Sequence, residues 1–134
     1  MKKLKIVVIL ILGIGIQVNA QSEVYLRLGM TMAEISKEVP DGKTEKFGDS
    51  SVIVQEAEYC RIFYFMDIDS ICILQVYTYH ISMLATMLKT FNEDDQYLKM
   101  ESLEYLYNNG KVVRKYEIII NKEKETMSLY VENM

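Results

Sequence analysis

Residues Leu103–Ile120 read LEYLYNNGKVVRKYEIII. Two runs of β-branched, aromatic and aliphatic residues flank Asn109-Gly110. Asn-Gly supplies the positive-φ pair of a tight hairpin and is the strongest short-range hairpin signal. The stretch therefore predicts two antiparallel strands, Leu103–Tyr107 and Val112–Ile120, around a turn at Asn108–Lys111. Outward from it, Tyr97–Lys99 is strand-like. On the far side, Asn121–Glu125 forms a charged turn. In the run after it, Met127, Leu129 and Val131 alternate with Ser128 and Tyr130. Alternation at period two predicts a strand with one face inward. The last forty residues thus read as an antiparallel meander.

Upstream, Val52–Met66 is apolar and β-rich, predicting one long strand or two with a bend near Glu56–Glu58. Both faces of its second half are apolar, so both are expected to be covered. Asp67–Ser70 is turn-like, and Ile71–Tyr79 is the next strand. Two short helices complete the set. Thr31 with Glu34 makes a capping box at the start of Met30–Val39, which Pro40-Asp41-Gly42 stops. Ile81, Leu84, Ala85, Leu88 and Phe91 repeat at three and four residues, with Ser82 as the expected cap. Elements this short are marginal alone. The stable arrangement is an α+β domain with two helices on one face of an antiparallel sheet of about five strands. Both halves run helix then strands, which hints at an internal duplication.

The chain opens with Lys2, Lys3 and Lys5, then an uncharged run Ile6–Ile16 of eleven residues, then Val18-Asn19-Ala20. A basic start, a short apolar run and small residues make the pattern of a secretory signal, cleaved after Ala20. The apolar run falls short of the ~20 residues that span a bilayer. The organisation expected is a signal peptide at 1–20 and a single domain at 21–134, exported to a periplasmic or extracellular place, with no stable membrane insertion after cleavage. Without the leader lysines, the formal charge of −4 becomes −7. Nucleic acid is not an expected partner, because an acidic surface repels phosphates. Lys111, Arg114 and Lys115, the densest basic cluster, read as a solvated strand face.

No constellation of residues points to catalysis, a cofactor or a metal. His80 is the one histidine and has no ligand-spaced neighbours. Asp67 with Asp69, and Glu93 to Asp95, read as solvated turns. Cys60 and Cys72 sit in apolar strands. A turn centred on Ile68 and Asp69 places Cys60 opposite Tyr77 and Cys72 opposite Phe65, with the sulfurs roughly 16 Å apart. That spacing excludes a disulfide and predicts two free, buried thiols. Ten tyrosines and no tryptophan are the compositional oddity. Tyrosine enriches interfaces. A tyrosine-lined sheet face built on Tyr105, Tyr107, Tyr77 and Tyr79 is the expected binding surface, for an unknown protein, peptide or glycan.

Leu28-Gly29-Met30-Thr31, followed by Glu34-Ile35, resembles the start of the first helix in small envelope proteins of the SmpA/OmlA type. The wider resemblance is to domains built like β-lactamase-inhibitor protein. It implies an exported, non-catalytic binding or structural protein of the bacterial cell envelope. It assigns no catalytic residue. Two other readings stay open: a small-ligand-binding or enzymatic domain with a cavity between sheet and helices, and an inhibitor of a secreted enzyme.

Overall fold

The computed structural model describes residues 26–101 and 103–134. The expected leader and its cleavage site lie outside the described residues. Among the described residues, two helices pack on one face of an eight-stranded antiparallel sheet. Helix α1 spans Met32–Glu38 and precedes β1 (Lys43–Phe47), β2 (Ser50–Glu56), β3 (Arg61–Met66) and β4 (Cys72–His80). A 3₁₀ turn, Ile81–Met83, leads into α2 (Leu84–Glu93). There follow β5 (Tyr97–Glu101), β6 (Glu104–Asn108), β7 (Val113–Asn121) and β8 (Thr126–Asn133). The strand order is β1-β2-β3-β4-β8-β7-β6-β5. Each half is thus one helix and a four-strand meander, and the last strands of the halves pair at the centre. The repeated arrangement hinted at by the sequence is present in the fold.

The sheet has eight strands rather than about five, for three physical reasons. Lys43–Phe47 is exposed along its whole length, so it carries no apolar alternation. Its charges suit an edge strand, where they discourage pairing with other chains. Gly48-Asp49 joins it to β2, with Gly48 at φ 62, a left-handed conformation that glycine adopts without strain. The apolar run Val52–Met66 breaks at Ala57–Cys60, where the Ala57 N–H donates to the Cys60 carbonyl. β5 and β6 are likewise two strands, with an irregularity in their register after Lys99.

Helix α1 begins as its sequence predicts. The Glu34 N–H donates to Thr31 Oγ1 at 3.2 Å, and the Thr31 N–H donates to Glu34 Oε1 at 2.9 Å. Ile35 and Val39 then bury against Ile53, Tyr64, Met66 and Cys72. Ser82 does not cap α2. His80 caps the 3₁₀ turn instead, its Nδ1 accepting from the Ser82 N–H at 3.1 Å. Phe91 of α2 buries among Tyr105, Tyr107, Tyr116, Ile118, Met127, Leu129 and Val131. The segment before α1 ties these two clusters together. Leu28 packs against both. Gly29 at φ 89 turns the chain so that its N–H donates to the Cys72 carbonyl, and Cys72 N–H donates to Met30.

Strand register sorts every side chain to one of two faces. One ladder across the sheet runs Thr44, Ile53, Tyr64, Gln75, Val131, Tyr116, Tyr105 and Lys99. It belongs to the face under the helices. A neighbouring ladder points the other way and runs Lys43, Val54, Phe63, Val76, Tyr130, Glu117, Glu104 and Glu101. These two rows place the candidate sites.

Candidate functional site

The expected tyrosine surface is corrected by this register. Tyr105 is 0 % exposed and Tyr107 is 5 % exposed. Both lie beneath α2, where Tyr105 stacks on Phe91 at 4.7 Å and donates from Oη to Asn92 Oδ1 at 2.9 Å. The inward alternation of β6 therefore serves the core, and tyrosine supplies its bulk. Tyr77 and Tyr79 share the helix-side face and are half-buried. Burial holds both phenols well above their usual pKa. The four tyrosines do not form one open face.

The opposite face carries a different surface. Phe47, Phe63 and Phe65 form a row there, with centroids 6.0 Å apart from Phe47 to Phe65 and 6.3 Å from Phe63 to Phe65. Val52 pairs with Phe65, Val54 with Phe63, and Phe63 with Val76. The three valines are buried, while Phe47 is 51 % exposed. Among the described residues, both helices lie on the other side of the sheet. This apolar character on β2–β4 is what the sequence showed as two apolar strand faces. The signal that assigned it to a surface was missing, because face assignment needs the register.

Toward β5, the same face turns acidic. Glu117 lies opposite Tyr130 on one side and Glu104 on the other, and Glu104 lies opposite Glu101. Like charges directly opposite one another repel. Lys115 compensates: its Nζ lies 3.3 Å from Glu104 Oε2, and it pairs across the strands with Glu132. The hydrogen bond and charge of Glu104, with help from Glu117 and Glu132, raise its pKa. One face thus joins an aromatic-aliphatic half to a half with excess negative charge. The expected basic cluster is divided by the sheet. Lys115 faces the glutamates, while Arg114 is buried on the helix side, 5.1 Å from the Tyr107 ring centroid.

A polar seam crosses the helix side between the two apolar clusters. The Arg27 N–H donates to Gln75 Oε1, and Gln75 Nε2 donates to Tyr77 Oη at 3.0 Å. An Arg27 guanidinium N–H donates to Tyr64 Oη at 3.0 Å, which donates on to Gln55 Oε1 at 2.7 Å. Arg27 Nε is 3.0 Å from Glu38 Oε1. Burial pushes the Tyr64 phenol up to about 12, against the opposing pull of Arg27.

The remaining singled-out residues have local roles. Cys60 and Cys72 are free. The β3–β4 register places Arg61 opposite Thr78 and Cys72 opposite Met66, two residues and one residue off the expected pairing respectively. The turn sets the first residue of the offset, with Ser70 at φ 61 and Asp67 Oδ1 accepting from the N–H groups of Asp69 and Ile71, and a register shift between Phe65 and Met66 adds the second. Cys60 consequently hydrogen-bonds with Tyr79, and burial raises its thiol to about 12. His80 is exposed, with Nε2 3.8 Å from Glu125 Oε1. No helix among the described residues is long and apolar enough to cross a membrane. Comparison with family models, curated proteins and solved structures finds no match to this chain.

Proposed function

We propose that this chain is a small exported binding protein of the bacterial cell envelope that works without catalysis. Its docking surface is the sheet face opposite the helices. Its partner is an extended protein segment with apolar side chains along one side and lysine or arginine at one end. The observation that carries this reading is the single cross-sheet ladder from Val54, Phe63 and Val76 through Tyr130 to Glu117, Glu104 and Glu101. Apolar contact on the phenylalanine row supplies affinity, at about 25 cal/mol per Å² removed from water. The glutamates fix the direction of the segment and speed its encounter.

The resemblance at Leu28–Ile35 and the basic-apolar leader pattern support an exported scaffold. The test is fluorescence anisotropy with a labelled peptide of two lysines followed by alternating valine and threonine. Saturable binding is expected, weakened by salt and by Phe65→Asp. Binding that Phe65→Asp leaves intact, or no binding at all, refutes this docking reading.

A further inference from the structure

We propose that β5 is a self-pairing edge: two copies of this chain join β5 to β5 antiparallel, with Leu98 against Leu98 on the two-fold axis, so that both sheets run into one.

The first argument is the contrast between the two sheet edges. The strand order ends on β1 and β5, so among the described residues each pairs on one side only. A strand edge is an open template for another strand unless charge or shape blunts it. β1 is blunted, with Lys43, Glu45 and Lys46 among its five residues. β5 is not. Leu98 is 64 % exposed and Met100 50 % exposed, and Lys99 is the one charge in Tyr97–Met100. Leu98 pairs with Leu106, on the face away from the helices. The apolar row there runs to the edge and stops in water.

The second argument is the direction of the backbone groups. The Asn108 N–H donates to the Gln96 carbonyl, which makes these two residues a hydrogen-bonded pair. Hydrogen-bonded and non-hydrogen-bonded pairs alternate along an antiparallel ladder. Leu98 with Leu106 is therefore the next hydrogen-bonded pair, and the Leu98 N–H and C=O point into the sheet. The backbone groups of Tyr97 and Lys99 fall in the other class and point outward. The Tyr97 N–H turns back to the Asp94 carbonyl. The Lys99 N–H is placed to meet a carbonyl of another strand.

The third argument is register, and it selects a second copy as the occupant. Centring the pair on Leu98 sets Tyr97 opposite Lys99 of the second copy, twice by symmetry. Each Lys99 N–H then meets a Tyr97 carbonyl, and within Tyr97–Lys99 no like charges oppose one another. The row on the face away from the helices becomes Leu106, Leu98, Leu98 and Leu106, which removes the exposed leucines from water. Centring on Lys99 instead sets two ammonium groups against each other, which is destabilising. Centring on Tyr97 asks its N–H, already given to Asp94, to donate. One register therefore satisfies backbone, face and charge together. Each copy carries a net negative charge, so salt, which screens their repulsion, should tighten the pair.

The test is sedimentation velocity of the purified protein, expressed from the full sequence, over a wide range of concentration. A shift from monomer to dimer with rising concentration is expected. Lys99→Pro removes the outward N–H at an edge position that tolerates proline, and should weaken pairing about tenfold through two hydrogen bonds lost by symmetry. Leu98→Lys sets like charges opposite each other on the axis and should weaken it at least as much. Both positions are exposed, so circular dichroism should show the fold unchanged. On the axis, the Cα atoms of a non-hydrogen-bonded pair lie about 4.5 Å apart, within reach of a disulfide. Under mild oxidation Leu98→Cys should crosslink, whereas Met100→Cys, displaced by about 13 Å along the strands, should not. Phe65→Asp should leave pairing unchanged, so this edge and the docking face fail separately. The proposal is overturned if the protein stays monomeric throughout, or if the dimer survives Leu98→Lys and Lys99→Pro. It is equally overturned if Phe65→Asp dissolves the dimer, or if Met100→Cys crosslinks as fast as Leu98→Cys.

Discussion

Replacing Tyr105 separates a core role from a surface role more sharply than any other single change. Its side chain is 0 % exposed, stacked at 4.7 Å on Phe91 and opposite Tyr116 in the β6–β7 register. Truncation removes a whole ring from a packed layer, where large aromatic-to-alanine changes cost about 3–5 kcal/mol. Tyr105→Ala is therefore expected to lose a large share of a small domain's stability, which is typically about 5–15 kcal/mol. Tyr105→Phe keeps the ring and removes only the bond from Oη to Asn92 Oδ1. Asn92 is exposed, so its freed oxygen regains water. The loss should then fall near the low end of the usual ~0.5–1.5 kcal/mol. Urea unfolding followed by far-ultraviolet circular dichroism measures both on one baseline. If the denaturant slope holds constant, the midpoints report stability directly. A loss below about 1 kcal/mol for Tyr105→Ala, the range of surface changes, would refute the buried placement and the sheet register behind it.

Four further predictions rest on local geometry. Thr31→Ala removes the acceptor for the Glu34 N–H and should cost about 1 kcal/mol in the same unfolding assay. The Thr31 backbone and side-chain hydrogen bonds lower the Glu34 pKa. The stability this contributes is present above the ordinary carboxylate pKa and is lost as pH falls through the lowered value. Glu34→Gln should accordingly flatten the acid limb of a stability-versus-pH curve. Gly29 sits at φ 89 with nothing within 4 Å of a built Cβ, so Gly29→Ala isolates backbone strain and should cost about 1 kcal/mol without any clash. Burial raises the thiols to about 12 for Cys60 and about 11 for Cys72. Both should resist a disulfide reagent at pH 8 and react on unfolding. Because the folded values are raised, their contribution to stability is present below about pH 9 and fades as pH climbs toward 11 and 12.

Much of the fold was legible because its signals are local. The Thr31–Glu34 cap, the Asn-Gly hairpin and the alternation of Met127, Leu129 and Val131 each depend on a few neighbouring residues. β1 escaped because an edge strand with both faces in water needs no apolar pattern, although Gly48-Asp49 was a usable hairpin signal. The candidate surfaces were harder to read. Tyr105 and Phe65 both sit in apolar, aromatic strands, and sequence alone does not say which face the helices cover. That depends on β4 pairing with β8, whose partners lie about fifty residues apart in the chain. The seam escaped for a related reason, since Arg27, Gln55, Tyr64 and Gln75 meet only when the segment before α1 crosses β4.

The central claim is that the face opposite the helices is the docking surface, and labelling of a Phe47→Cys variant tests it most directly. Phe47 is 51 % exposed at the edge of the phenylalanine row; Cys72 is buried and Cys60 half-buried, and burial raises both native thiols well above their usual pKa, so the new thiol labels first. With the lysine-valine peptide at about ten times its Kd, roughly a tenth of the protein remains free, and labelling should slow about tenfold. An unchanged labelling rate at saturating peptide would contradict the claim and place the peptide elsewhere on the protein.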